Sequence, residues 1–124
     1  MSGISNYLEN KLLDHVLKNV TYTKPGTVYL ALFTSNPTDT DSGSEVSGTT
    51  RQSISFGAAS AGSISNSSSV SFSSMPTATV THIGVYDAST GGNLLFHGAL
   101  SSSASVTSGD TFTIQANDLQ ISLD

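Results

Sequence analysis

Three carboxylates lie close together in one hydrophilic stretch of the sequence. Asp39, Asp41 and Glu45 occupy positions i, i+2 and i+6, and hard cations such as calcium prefer oxygen ligands clustered in this way. A calcium loop of the EF-hand type has glycine at its sixth position and a bidentate glutamate at its twelfth. Here Gly43 is the fifth residue and Glu45 the seventh. The pattern therefore fails, and we predict an acidic, solvent-exposed loop that holds no metal.

Two histidines fall on the two strands of a predicted hairpin. Pairing the residues that flank its turn places His82 opposite Ala99. The same register places His97 opposite Gly84, so that both imidazoles share one face of the sheet. Zinc requires three or four ligands, and the sequence fixes no third one nearby. We therefore predict packing or interface histidines here, and a solvated or interface role for His15.

Nucleophilic catalysis by serine requires a general base and an orienting acid. With 24 Ser and 3 His, some Ser–His proximity is expected by chance. The nucleophile-elbow pattern G-x-S-x-G does not occur, and neither do a P-loop or G-x-G-x-x-G. We predict that the chain is not an enzyme and uses no cofactor.

Composition indicates a small all-β domain with a modest core. The 124 residues include 24 Ser and 15 Thr, whereas hydrophobic residues make up 36% and charged residues 10%. Thr suits half-buried strands, and Ser suits turns and exposed strand faces. The longest apolar run has the length of a strand and is too short for a membrane span. There is no cysteine, so no disulfide framework is predicted.

The net charge of −5 is divided unevenly along the chain. Residues 1–24 contain three lysines and two carboxylates, for +1, whereas residues 25–124 contain one arginine and seven carboxylates, for −6. An acidic chain of this kind lacks the basic surface that binds nucleic acid. The N-terminus lacks the apolar core and cleavage site of a signal peptide, so we expect no secretion by that route.

Apolar residues recur every four positions within residues 1–24, and this period predicts a helix followed by a connector. We expect the helix to cover residues 6–18. Asn6 and Glu9 have the spacing of a capping pair, and Asn19 is expected to stop the helix. The apolar stripe consists of Ile4, Leu8, Leu12, Val16 and Val20.

This stripe has to be covered, either by the chain's own sheet or by another chain. Two tyrosines flank the helix and extend the surface that a partner would meet. The candidate interface residues are Ile4, Tyr7, Leu8, Leu12, Val16, Val20 and Tyr22. We predict that the chain works by association, as a homo-oligomer, with the helix or the edge strands as the contact.

From Pro25 onward the apolar period changes to two, which predicts a β domain over residues 25–124. Residues 28–33 are apolar on both faces and are expected to form a central strand. Residues 35–50 are expected to form a long exposed loop, and the serine-rich residues 58–74 to form strand and turn. Further strands are predicted at residues 51–56, 69–73, 80–87, 94–100, 112–114 and 119–123. About seven strands at this spacing indicate a single β-sandwich or jelly roll.

Several sequence blocks, taken in order, are similar to those of a known protein family. They are NYLEN (6–10), LLDHVL (12–17), VYLALFTSNPT (28–38), EVSG (45–48), THIGVYD (81–87), TGGNLLFHGAL (90–100) and SGDTF (108–112). Together they resemble the small virion structural proteins of tailed bacteriophages, which include tail-fibre-like and capsid decoration proteins. The resemblance covers nearly the whole chain and implies a non-enzymatic structural protein with no catalytic residues.

Within a virion, the sequence favours the head over the tail. A fibre needs length, usually from repeats or a trimeric coiled coil, and the sequence shows neither. We therefore predict a capsid decoration or cement protein that binds the head surface as an oligomer. A subunit of the tail fibre, tail tip or baseplate is the alternative, and a carbohydrate-binding module is a third reading. The expected partners are other virion proteins, either the major capsid protein or tail proteins, after assembly in the cytoplasm of the host bacterium.

Overall fold

The computed structural model describes residues 3–123, which form one helix and nine strands in antiparallel sheets. In chain order they are β1 (Gly3–Ile4), α1 (Asn6–Leu17), β2 (Val28–Phe33), β3 (Gln52–Ile54), β4 (Ser63–Ser65), β5 (Val70–Phe72), β6 (Ala78–Tyr86), β7 (Leu94–Val106), β8 (Phe112–Ile114) and β9 (Gln120–Ser122). The prediction of a mainly β, sandwich-like fold with an N-terminal helix is confirmed. The structure contains two short strands, β1 and β4, in addition to the seven strands that we predicted.

The main sheet has the strand order β1-β7-β6-β2-β3, so β2 lies inside it, between β6 and β3. Leu30 and Leu32 belong to the main hydrophobic core. Ala31 and Phe33, of opposite parity, belong to a second apolar cluster with Tyr86. Both sets are essentially inaccessible to solvent. The unbroken apolar run of β2 is therefore explained, because both faces of this strand are covered.

The second layer consists of two antiparallel pairs, β4–β9 and β5–β8. Their inward-facing residues pair across the strands, with Ile64 opposite Ile121 and Phe72 opposite Phe112. The alternate residues are serine or threonine, except for Gln120, and the hydroxyls of Ser71 and Thr113 lie 3.0 Å apart. Successive residues of each strand therefore alternate between an apolar face and a polar face.

The hairpin of β6 and β7 has the predicted register. His82 lies opposite Ala99 and His97 opposite Gly84. The pairing shifts by one residue near the turn, where Leu95 is the extra residue of a β-bulge. The two histidines therefore share one face, as expected from the alternation of side chains along a strand.

Strand β7 continues beyond the predicted end at residue 100. Its pairing with β6 passes from Ala99 directly to Ala104, and Ala104–Val106 then pair with Ala78–Val80. The skipped residues 100–103 are mostly serine, so the apolar alternation on which the sequence prediction relied is lost at this point.

Candidate assembly interface

The start of α1 is attached firmly to the main sheet. The Ser5 hydroxyl caps the helix by accepting the Leu8 N–H at 3.2 Å, and it donates to the carbonyl of Leu94. The Ser5 N–H also donates to the carbonyl of Leu95 at 2.9 Å. The predicted capping by Asn6 is therefore wrong, because the preceding serine takes the cap position and is buried.

The end of α1 matches the prediction more closely. Asn19 has a φ of 59°, the left-handed conformation with which asparagine often ends a helix. The N–H groups of Lys18 and Val20 both donate to the carbonyl of Asp14, at 3.0 and 3.1 Å. The chain therefore turns sharply at Asn19 and leaves the last turn of the helix in solvent.

The apolar stripe divides into a docked half and an exposed half. Leu8 is 5% exposed, and Ile4 and Leu12 are half-buried. Leu8 was predicted as an interface residue, but it is covered by its own chain. The exposed apolar residues are Leu13 (56%), Val16 (71%), Leu17 (78%) and Val20 (47%). We refer to these four residues as the helix patch.

The segment after α1 returns to the helix beside Tyr7. The Tyr22 N–H donates to Nδ1 of His15 at 3.1 Å, which gives the exposed His15 a structural role. Burial, together with repulsion from Tyr7 and Asp87, raises the pKa of Tyr22. Nζ of Lys11 lies 5.7 Å from the centre of the Tyr7 ring. The predicted interface residues Tyr7 and Tyr22 are thus close together, both half-buried, at the side of the helix.

The helix patch is unusual for a water-exposed surface. Large apolar side chains on a monomer surface are normally scattered, whereas a contiguous apolar patch marks a surface that meets another molecule. Three lysines, Lys11, Lys18 and Lys24, lie in the same segment and are exposed. The patch and the polar residues of the same segment suit a contact with an apolar centre and a polar rim, which is the common anatomy of a protein–protein interface.

A second cluster is centred on Arg51, whose side chain is 9% exposed. Its Nε and Nη2 donate to the two carboxylate oxygens of Glu45, at 3.0 and 2.9 Å. Its Nη1 donates to the carbonyls of Ala88 and Gly91, at 3.0 and 2.8 Å. The guanidinium carbon lies 3.7 Å from the centre of the Tyr86 ring. One side chain thus joins the long loop, the β6–β7 turn and the main sheet.

The surroundings of this cluster favour a charged Arg51 beside a neutral Tyr86. Burial opposes the charge of Arg51, but the hydrogen bonds and negative charge of Glu45 raise its pKa overall. Burial, and then the hydrogen bond that the Tyr86 hydroxyl donates to Asp41, raise the pKa of Tyr86. The arginine therefore stays charged and the tyrosine stays neutral, as a cation–π pair requires.

The three carboxylates of the predicted acidic loop have separate partners. Asp39 lies 2.7 Å from Nε2 of His97, Asp41 accepts from Tyr86, and Glu45 accepts from Arg51. In the part of the chain from residue 3 to 123, no group of three or more histidine or acidic side chains is arranged to hold a metal ion. The loop is exposed at most of its positions, as predicted, and its three acidic side chains also attach it to His97, Tyr86 and Arg51.

Sequence reasoning assigned no role to Arg51. One signal was present, because Arg51 is the single basic residue among seven carboxylates in residues 25–124. Its carbonyl partners are 37 and 40 residues away along the chain, however, and no local pattern identifies them.

An apolar pocket of about 340 Å³ opens between the main sheet and the β4–β9 pair. Its wall includes Val28, Phe56, Ile64 and Phe96, and nearly all of the lining atoms are carbon. Leu123, which is 52% exposed, stands at the same pocket. Among residues 3–123, α1 contributes nothing to the wall. We refer to this feature as the apolar pocket.

Comparison with known proteins gives one family. A model of the family described as podophage GP4 fiber I protein gp80 matches residues 3–122. A search of the curated proteins gives no match. Within residues 3–123, no helix has the length and apolarity needed to cross a membrane.

Proposed function

This chain belongs to the family of podophage GP4 fiber I protein gp80 and is a structural protein of a tailed-phage virion, and we propose that it acts as a fibre subunit that binds other virion proteins through the helix patch. The observation that carries the proposal is the exposure of Val16 and Leu17, at 71% and 78%, on a helix whose start is fixed. The chain's task in this proposal is association rather than catalysis.

The attachment of α1 supports a binding role. Ser5 and Leu8 hold the start of the helix against the sheet, so the exposed half is presented in one orientation. A preorganised surface loses less conformational entropy when it binds than a mobile one. Burial of the helix patch against a partner would also remove large apolar side chains from water, which is the main driving force of association.

Two positions in the virion are compatible with a binding role. The absence of sequence repeats and of a coiled-coil pattern favoured a capsid decoration protein, and that reading stays a prediction. The family description favours the fibre, and we adopt it for that reason. Both positions would use the same surface, since each requires the subunit to join neighbouring virion proteins.

The position is tested by locating the chain in intact particles. Cryo-electron microscopy of the virion, with an antibody fragment against the chain, is expected to show label on the fibres. Label spread over the head surface would instead support the decoration role. Particles without label at either place would contradict both.

The binding surface is tested with particles assembled in the absence of the chain. Purified Leu17→Glu protein is expected to bind them at least about tenfold more weakly than the native chain, a loss of about 1.4 kcal/mol. Ser103→Glu is the matched control, because it adds the same charge at an exposed position of β7. Both variants should unfold at the temperature of the native chain. Equal binding by both would show that the helix patch does not contact the other proteins of the virion.

A further inference from the structure

We propose that the helix patch of one copy docks into the apolar pocket of a second copy, so that this chain is its own partner. The inference rests on the proposed function, in which the patch is a contact surface, and adds the identity of the partner. It follows from three properties of the molecule: the pocket, the patch and the distribution of charge.

The apolar pocket has the size and chemistry to receive aliphatic side chains. A cavity of roughly 150 Å³ lined by Leu, Ile and Phe holds one benzene-sized group and stays dry. At about 340 Å³, this pocket has room for about two such groups. Its wall offers almost no polar atom to an ordered water, because Val28, Phe56 and Phe96 line it with carbon. An apolar occupant is therefore favoured over solvent.

The helix patch offers the groups that fit. Val16 and Leu17 are adjacent and are the most exposed of the large apolar residues. In the described part of the chain, residues 3–123, no side chain covers Val16 and Leu17, and α1 does not fill the pocket. One chain therefore carries both an unpartnered apolar projection and an unpartnered apolar recess.

Charge distribution favours a second copy over an unrelated surface. The patch belongs to the segment that holds Lys11, Lys18 and Lys24 and carries +1, whereas residues 25–124 carry −6. The single cation of that acidic part, Arg51, is neutralised by Glu45. The body of a second copy is thus opposite in net charge to the segment around the patch, which favours their encounter.

Such a contact joins two different surfaces of the same protein. A contact of this heterologous kind leaves one patch and one pocket free on each pair, so that further copies add until a ring closes or a filament grows. Repeated addition of copies is the behaviour expected of a subunit in an extended structure. It also gives the contact a distinctive experimental signature.

The test uses two variants of the full chain, each defective on one side. Leu17→Glu removes the projection, and Leu123→Glu places a charge at the pocket. Each variant alone is expected to sediment as a monomer under conditions in which the native chain assembles. A mixture is expected to form a one-to-one complex, because the intact patch of Leu123→Glu fits the intact pocket of Leu17→Glu. Ser103→Glu is the control and should assemble like the native chain.

Several outcomes would overturn the proposal. Normal assembly of Leu123→Glu alone would indicate a patch-to-patch contact, and a mixture that forms no complex would exclude the pocket. A second pocket variant, Ala59→Glu, repeats the test at an exposed lining position if Leu123→Glu fails to fold. The native complex should also weaken as salt increases, because the segment and the body attract each other.

The test separates this inference from the proposed function. If the native chain stays monomeric while its incorporation into particles still depends on Leu17, the partner is another virion protein and only the inference fails. If the mixture forms its complex but the chain is absent from particles, the inference stands and the proposed function fails.

Discussion

Arg51 shows how a single residue can determine the conformation of a long loop. A guanidinium has five N–H donors in one plane and two flat faces. Three of its nitrogens donate to Glu45 and to the carbonyls of Ala88 and Gly91, and one face lies over Tyr86. A lysine side chain has neither the forked pair of N–H donors nor the flat face of a guanidinium. The loop of residues 35–50 is therefore held in place by planar geometry as well as by charge.

Arg51→Ala is expected to destabilise the chain by about 3 kcal/mol, because it leaves the carboxylate of Glu45 without its partner in a partly buried position. Arg51→Lys should recover less than half of this loss, since a point charge cannot replace the bidentate and stacked contacts. Urea unfolding midpoints measure both effects. Lys18→Ala, at an exposed position, is the control and should change stability by less than about 0.5 kcal/mol. Equal stability of the Lys variant and the native chain would show that charge alone holds the loop.

The neutral state of Tyr86 should make stability depend on pH in alkaline solution. Its pKa is raised in the folded chain, chiefly by burial, so above about pH 10 the unfolded chain ionises while the folded chain keeps its proton. The folded state then binds more protons, and stability falls as the pH rises; below about pH 10 the contribution is fully present. Tyr86→Phe should show a shallower fall. Part of the slope remains in the variant, because the pKa of Tyr22 is raised in the same direction.

The measurement for Tyr86 is urea unfolding at increasing alkaline pH, followed by the near-ultraviolet absorbance of tyrosinate. The chain has four Tyr and no Trp, so this signal is not obscured. The same slope in Tyr86→Phe and the native chain would show that Tyr86 does not carry the effect.

The carboxylates of the loop should not respond to calcium. Asp39, Asp41 and Glu45 already accept from His97, Tyr86 and Arg51, and a cation would have to displace all three partners. Melting temperatures in EDTA and in millimolar calcium are therefore expected to agree within error. A clear rise with calcium would contradict this and would favour the carbohydrate-binding reading.

Among the elements, α1 and β2 use apolar residues in opposite ways. Every position of β2 from Leu30 onward is buried, because the strand has neighbours on both edges and cover on both faces. In α1 only Leu8 is buried, although the apolar stripe extends over the whole helix. The strand supports the fold along its length, whereas the second half of the helix contributes little to it.

Leu30→Ala and Leu32→Ala are each expected to lower the free energy of unfolding by about 2–5 kcal/mol, the usual cost of a cavity at a packed leucine. Both side chains have 0% exposure. Leu13→Ala is a matched control in α1, where 56% of the side chain is exposed, and should cost less than about 0.5 kcal/mol. Denaturant unfolding compares the three. Similar losses at Leu13 and Leu30 would contradict the division between the two elements.

Periodicity predicted these elements well but could not predict what covers them. The helix end at Asn19, the central strand and the β6–β7 register all follow from local pattern or alternation. Burial of Leu8 and exposure of Val16 could not be predicted, because both residues have the same place in the helical repeat. The contacts of Arg51 could not be predicted from the sequence either, because they join segments that come together only in the folded sheets.

For the molecule as a whole, folding and association are assigned to separate regions. The sandwich buries the apolar residues of both layers, and the exposed large apolar residues are concentrated in α1 and its connector, with Leu123 beside the pocket. Charge follows a similar division, with the lysines in residues 1–24 and most carboxylates beyond them. The surface that binds can therefore be altered with little effect on the core.

Deletion of residues 1–20 is expected to destabilise the sandwich and also to abolish association. The deletion removes the burial of Leu8, roughly 1.5–3 kcal/mol, and the hydrogen bonds from Ser5 to the main sheet. Leu17→Glu in the full chain should abolish association alone. Urea unfolding and sedimentation measure the two effects separately. A truncated chain as stable as the native one would show that the docked half of α1 adds nothing to the fold.

The attachment of Ser5 has a consequence for the order of events during synthesis. The hydrogen bond from Ser5 to Leu94 spans 89 residues of sequence. The N-terminal residues leave the ribosome first, at about 5–20 residues per second, so α1 is made several seconds before its docking site exists. Throughout this interval Leu8 has no completed sheet to pack against. The helix, although it precedes the main sheet in the sequence, therefore cannot reach its final place until residues 94–95 have been made.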